Sequence, residues 1–287
     1  MVHGRDHKLM DVPNEHRLVK LHRSIRAVAI PITFLLLFVS MLGVISITYY
    51  FAVEKVNARS TTLKIATAKQ DMLSLDDALM QVIGQPGSAR TFEFGDSGGQ
   101  VNVQPAANTL IVNISDGVDI AATVCNETIG QVSYVLPYSE SPDSGLFLKG
   151  DSRTITDQSG AVMTQLYIRS GAEHPEILLH YRPTVSYTTA GTENGKTVNN
   201  IRVYIVNLNA SDPIALYGKV PLKISCVTTQ ISTTTYDLSY KPESLTLTAS
   251  LDGASGQVTV PVSSTSGGAI IKVETVFCNV RIQRWLR

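Results

Sequence analysis

The sequence predicts an N-terminal transmembrane α-helix that continues as an amphipathic helix and is followed by an all-β antiparallel sandwich, jelly-roll or immunoglobulin-like. Three observations predict it. Residues 27–53 run for 27 positions without a charged side chain. Residues 54–83 contain neither Gly nor Pro and repeat apolar side chains at spacings of three and four. From residue 84 onward Ser, Thr, Val, Asn and Gly dominate, and apolar residues alternate with polar ones, the period of a strand. Composition agrees. Of 287 residues 44% are hydrophobic and only 17% charged, which excludes a disordered chain or a charged coiled coil. Lys plus Arg equals Asp plus Glu at 24 each, so the chain lacks the cationic surplus that a general nucleic-acid binder needs.

The order of elements gives four segments. Residues 1–26 are a basic cytoplasmic leader, 27–53 a transmembrane helix, 54–83 its amphipathic extension and 84–287 an extracytoplasmic β-domain. As a helix the uncharged run measures roughly 40 Å, more than the ~30 Å hydrocarbon core of a bilayer. Tyr49, Tyr50 and Phe51 fall at its far end, where aromatic rings favour the headgroup layer. The leader carries Arg5, Lys8, Arg17, Lys20, Arg23 and Arg26 against Asp6, Asp11 and Glu15, a net +3. Positive flanks resist translocation, so the N-terminus is expected inside and the β-domain outside a cell membrane crossed once. Lys55, Arg59, Lys64 and Lys69 beyond the span weaken that contrast. The competing reading is a secretory signal cut near Val56-Asn57-Ala58, but the apolar run is about twice the usual core of a signal peptide.

Ile65, Ala68, Met72, Leu75, Leu79 and Val82 form one apolar stripe on the extension. Two uses fit it: packing on the domain that follows, or self-association with other copies. Residues 27–83 together read as one helix of about 55 residues.

In the outer domain, residues 100–104, 244–251 and 257–262 alternate, and 201–208 and 269–277 are longer β-branched runs. Turn signals separate them: Asp116-Gly117, Ser159-Gly160, Asn194-Gly195, Asp252-Gly253 and Gly267-Gly268. Asn113, Asn126 and Asn209 each open an Asn-x-Ser/Thr triplet, so they are candidate N-glycosylation sites on the exported side. Cys125, Cys226 and Cys278 leave one thiol over in any pairing. Cys226 with Cys278 is the candidate disulfide, and burial as small apolar side chains is the alternative.

No catalytic or metal site is expected, and no cofactor. Glu176, His180 and Arg182 share one face of a strand, but sequence supplies no third ligand beside His180 and Glu176; a solvent-facing polar face opposite Leu179 and Tyr181 is the simpler reading. Gly95-Asp96-Ser97-Gly98-Gly99 has the letters of a serine-protease nucleophile loop, yet no room precedes it for the barrel that carries the His and Asp partners, so a flexible turn after the helix is expected. The acidic turns at Asp116 and Asp119 and at Asp143 lack the spacing of an EF-hand. Arg281, Arg284, Trp285 and Arg287 give a basic, aromatic end, expected as an edge strand guarded by Arg.

A basic leader, an uncharged span running into an amphipathic helix, and a β-rich head resemble the archaeal type IV pilin-like and archaellin-related surface proteins. In that family a membrane peptidase cuts after a basic-then-small pair just ahead of the apolar run; Arg23-Ser24 and Arg26-Ala27 match, and Pro31 lies early in the run as it often does in archaeal pilins. The Gly before the cut and the early Glu of bacterial pilins are not present. The resemblance implies a non-enzymatic structural subunit or accessory of a surface filament, whose partners are the bilayer and copies of itself or of other pilin-like subunits. Without the resemblance, the same layout reads as a bitopic adhesin or receptor. A membrane-tethered hydrolase would need a convergent polar pocket.

Overall fold

A computed structural model describes residues 15–137, 144–158, 162–171 and 173–286, with side chains from residue 30 onward. Two compact units divide the chain at Thr61/Thr62.

The first unit is helical. The helix α1 runs Glu15–Met80 over 66 residues, longer than expected at its start, because no Gly or Pro lies between Glu15 and Pro31 and Leu, Lys and Arg are good helix formers. Pro31 sits inside it; its ring removes one backbone donor and leaves the preceding carbonyls to other partners. The window of highest mean hydropathy reaches 2.5 and none of it is buried. One helix here is therefore long and apolar enough to cross a membrane.

The second unit, Thr62–Arg287, takes in the last 19 residues of α1 and all the strands. The helix stops at Met80 rather than at residue 83. Its final turn tightens, with Val82 N–H donating to Leu79 O at 3.0 Å and Gln85 N–H to Val82 O at 3.2 Å. Fourteen strands follow: β1 Ala89–Phe94, β2 Gln100–Ser115, β3 Ala121–Val135, β4 Phe147–Lys149, β5 Thr156–Asp157, β6 Thr164–Ser170, β7 Pro175–Tyr181, β8 Thr184–Glu193, β9 Lys196–Asn207, β10 Ile214–Tyr217, β11 Val220–Leu238, β12 Ser244–Leu251, β13 Ala254–Pro261 and β14 Ala269–Arg284.

They form two sheets. One is ordered β1-β11-β14-β9-β8-β5; the other is ordered β13-β12-β2-β3-β7-β6-β4, with β10 also on β2. The pairing is antiparallel-rich, as expected, but β14 with β9 and β5 with β8 are parallel. The C-terminal strand β14 is central, between β11 and β9, over Ala269–Asn279, whereas the basic run at Arg281 and Arg284 lies past the β9 pairing and, among the described strands, pairs with β11 alone. Trp285, just past it, holds Pro221 O through its backbone N–H at 2.9 Å, and the Lys223 ammonium lies over its ring.

Turn chemistry explains the registers. Asn194-Gly195 and Asp252-Gly253 each put both central residues at positive φ (51° and 77°; 50° and 76°). That geometry matches the twist of the flanking strands and closes the pairs Glu193 with Lys196 and Leu251 with Ala254. Ser159-Gly160 lies outside the described residues.

Two apolar clusters fill the sandwich. Leu110, Val112, Ile114, Ile201, Val203, Leu245 and Leu247 belong to one, between the sheets. The other joins strands of both sheets (Val101, Tyr134, Leu179, Leu222, Ile282) to the end of α1. Ala68, Met72, Leu75, Leu79 and Val82 are buried there and Ile65 packs at the margin. The stripe expected to serve either the head or other copies is therefore taken up by the chain's own head. Its apolar side chains gain more by leaving water inside this core than an open seam could offer them in a lone subunit.

Candidate functional site

The helix end is fastened by a polar anchor that sequence reasoning missed. Asp76 is completely buried, and its carboxylate accepts hydrogen bonds from Thr164 Oγ1 and Tyr181 Oη, each at 2.9 Å, and from Lys149 Nζ at 2.5 Å. Lys149 also reaches Asp77 at 3.3 Å. A buried carboxylate persists only when paired and hydrogen-bonded in this way. Burial and the adjacent Asp76 push the Tyr181 phenol well above its ordinary range, so it remains a donor. Asp71 on the same helix accepts from Gly95 N–H at 2.9 Å. The only sequence signal was two acids, Asp71 and Asp76, beside an apolar stripe; the partners of Asp76 lie on the distant strands β4, β6 and β7, and that of Asp71 in the turn after β1.

The polar groups that suggested chemistry do not converge. Glu176 pairs with Arg169 at 2.7 Å. Arg182 is buried and spends its guanidinium on Val162 O, Arg153 O and the Asp151 carboxylate; Arg153 first, and Arg182 with it, hold Asp151 well below the usual carboxylate range. His180 is 4% exposed, with its ring 5.8 Å from that of Tyr167. Burial lowers its pKa to about 4, so it is neutral at physiological pH. The expectation of a solvent-facing polar strand face is corrected here: Leu178 and His180 are buried on that face of β7, Glu176 is half-buried, and Arg182, just past the strand, is buried against Asp151, Arg153 and Val162.

Residues 95–99 form a turn between β1 and β2, not directly after the helix. Ser97 is 2% exposed, Gly99 N–H donates to Tyr134 Oη at 3.1 Å, and a side chain at position 99 would meet Val135 O at 2.3 Å. Glycine is required there by packing, which accounts for the motif without a nucleophile. Asp116 uses its carboxylate on the N–H groups of Val118, Asp119 and Ile120 and on the Tyr240 hydroxyl. Burial opposes its ionisation, but these donors win and hold it below the ordinary range. Asp143 lies outside the described residues. Among the described residues no group of three His, Cys, Asp or Glu side chains is placed to hold a metal ion.

Cys226 on β11 and Cys278 on β14 are both buried thiols with their sulfurs 3.5 Å apart, and Gly84 N–H donates to Cys278 Sγ at 3.4 Å. Cys125 is buried in the other cluster, and burial raises it to about 11. Of the three sequons, Asn113 is exposed but bonded to Thr123 Oγ1 at 2.9 Å in mid-sheet. Asn126 is exposed on β3, and Asn209 is exposed after β9. These last two line one cleft of about 490 Å³ with Cys125, Gln230, Ile231, Ser232 and Phe277. Arg23, Ser24, Arg26 and Ala27 lie within α1 by backbone; their side chains, and residues 1–14, lie outside the described set.

The chain matches no family model, no curated protein and no solved structure.

Proposed function

We propose that this chain is a non-enzymatic, membrane-anchored surface protein of pilin-like type, a subunit or accessory of a filament assembled through its N-terminal helix. The observation that carries the reading is the division of labour along α1. Residues 62–80 are built into the β-sandwich core, whereas the apolar window upstream is wholly unburied. An uncovered apolar surface of that length calls for a second environment, either lipid or the same segment of neighbouring copies. With the stripe consumed by the head, intersubunit packing falls to residues 30–53. The net +3 leader supports an inside N-terminus and an outside head, where Asn126 and Asn209 are exposed sequon positions.

The test is the N-terminal sequence and mass of the mature protein from its native membrane. A start at Ile25 or Val28 is the expected result and makes filament assembly the working account. An intact N-terminus leaves a bitopic anchor presenting a binding head, and a start at Arg59 leaves a released β-domain.

A further inference from the structure

The sandwich is open along one side. β1 pairs with β11 only from Val220 to Ser225, and Ser88 and Gly87 extend the contact to Cys226. A bulge follows between Cys226 and Thr228. Past it β11 continues along β14 for eleven more residues, Thr228 to Leu238, and among the described residues no strand pairs with its outer edge. Residues 227–235 are exposed on both faces, with Thr229 alone half-buried, and Ile231 is 63% exposed. Across the cleft of about 490 Å³, β3 is open in the same way, because β7 pairs with it only from Val132 to Val135.

The strands that end each sheet are protected. β4 and β5 are three and two residues long, β1 carries Arg90 and Glu93, and β13 ends on Pro261. These are the usual devices against edge-to-edge pairing. Residues 228–236 carry neither charge nor proline (Thr-Thr-Gln-Ile-Ser-Thr-Thr-Thr-Tyr), and the bulge at Val227 is the one such device beside them.

We infer that this edge pairs with the same edge of a second copy, antiparallel about a two-fold axis at Ile231. The open, exposed stretch 227–235 has Ile231 as its midpoint, so only that register pairs it completely. The resulting partners are Val227 with Thr235, Thr228 with Thr234, Thr229 with Thr233, Gln230 with Ser232, and Ile231 with itself. Read from its centre, the stretch is nearly palindromic in chemical type, as an isologous contact requires. Thr–Thr and β-branched pairs favour cross-strand contact. The pairing unites two six-stranded sheets, satisfies the outward N–H and C=O groups of both edges, and covers the exposed Ile231. The cleft beside β11 leaves room for the incoming strand. The contact rests on the proposed display of many heads on one membrane, where tethering raises their effective concentration.

Position-specific cross-linking of the full chain in its own membrane tests this. Ile231→Cys is expected to give a disulfide-linked dimer under mild copper oxidation. Thr235→Cys alone is expected to stay monomeric, because its copies sit ~26 Å apart along the paired strands. Val227→Cys combined with Thr235→Cys restores the dimer. Ile231→Lys sets like charges opposite each other, and association in detergent, read by sedimentation, is expected to weaken at least tenfold. A silent Ile231→Cys, an equally strong cross-link through Thr235→Cys alone, or unchanged association of Ile231→Lys overturns the inference. So does a silent edge accompanied by added sugar mass on the Asn126 or Asn209 peptide, which would make a glycan the occupant. Leader processing does not alter this pattern, so failure here is distinct from failure of the pilin-like reading.

Discussion

Asp76, His180 and the Cys226/Cys278 pair each concentrate a consequence in one side chain. Asp76→Ala leaves Thr164, Tyr181 and Lys149 without their shared acceptor in a buried site. Urea unfolding followed through Trp285 is expected to show a loss of about 3 kcal/mol, the scale of a broken buried pair. His180 gives a pH signature. Its folded-state value is about 4 against an ordinary 6.5, so between those values the unfolded chain binds the extra proton. Stability therefore rises with pH through that window and is lost as pH falls from 6.5 towards 4, by on the order of 3 kcal/mol in total. The difference between the parent chain and His180→Gln isolates the effect; parallel stability curves from pH 4 to 7 would refute it. Cys226 and Cys278 are expected to close into a disulfide when exchanged with oxidised glutathione, two thiols being oxidised as the glutathione disulfide is reduced. Alkylatable thiols in the denatured chain would then fall from three to one, and an undiminished count would contradict the pairing.

At the level of elements, α1 is the informative one. Leu75→Ala and Leu79→Ala remove side chains that are 0% exposed in the core shared with both sheets. Each is expected to destabilise the β-rich unit by about 2–5 kcal/mol while membrane association persists; a change in assembly with no change in unfolding would return the stripe to an intersubunit role. How much of this was legible differs between elements. The span, the stripe and the Asn194-Gly195 and Asp252-Gly253 hairpins were readable because their causes are local: uniform apolarity, a 3.6 period, and residues that tolerate positive φ. What the stripe packs against was not, since both uses demand the same apolar period. The buried face of β7 was misread for a related reason. Glu176, His180 and Arg182 look solvent-facing in sequence, and the groups that take them inside, such as the Arg153 and Val162 carbonyls around Arg182 and Arg169 beside Glu176, lie outside the strand. The Asp76 anchor joins residues 88 and 105 positions apart, a separation on which no periodicity bears.

For the whole molecule the central expectation is topological. Protease added to the outside of intact cells is expected to remove the β-rich unit and leave a membrane-held helical fragment; complete protection would reverse the proposed orientation. The sheet order adds a constraint on how such a head comes into being. β14, the last strand to emerge, is the one that joins β11 to β9, and Val280 and Ile282 on it share a cluster with Met72 and Leu75. Until β14 is in place, one sheet remains in two pieces and the helix stripe lacks part of its cover. On the proposed orientation, export therefore delivers nearly all of the β-rich unit as an unfolded thread before cooperative folding begins, the two sheets waiting on residues some two hundred positions beyond the helix they bury.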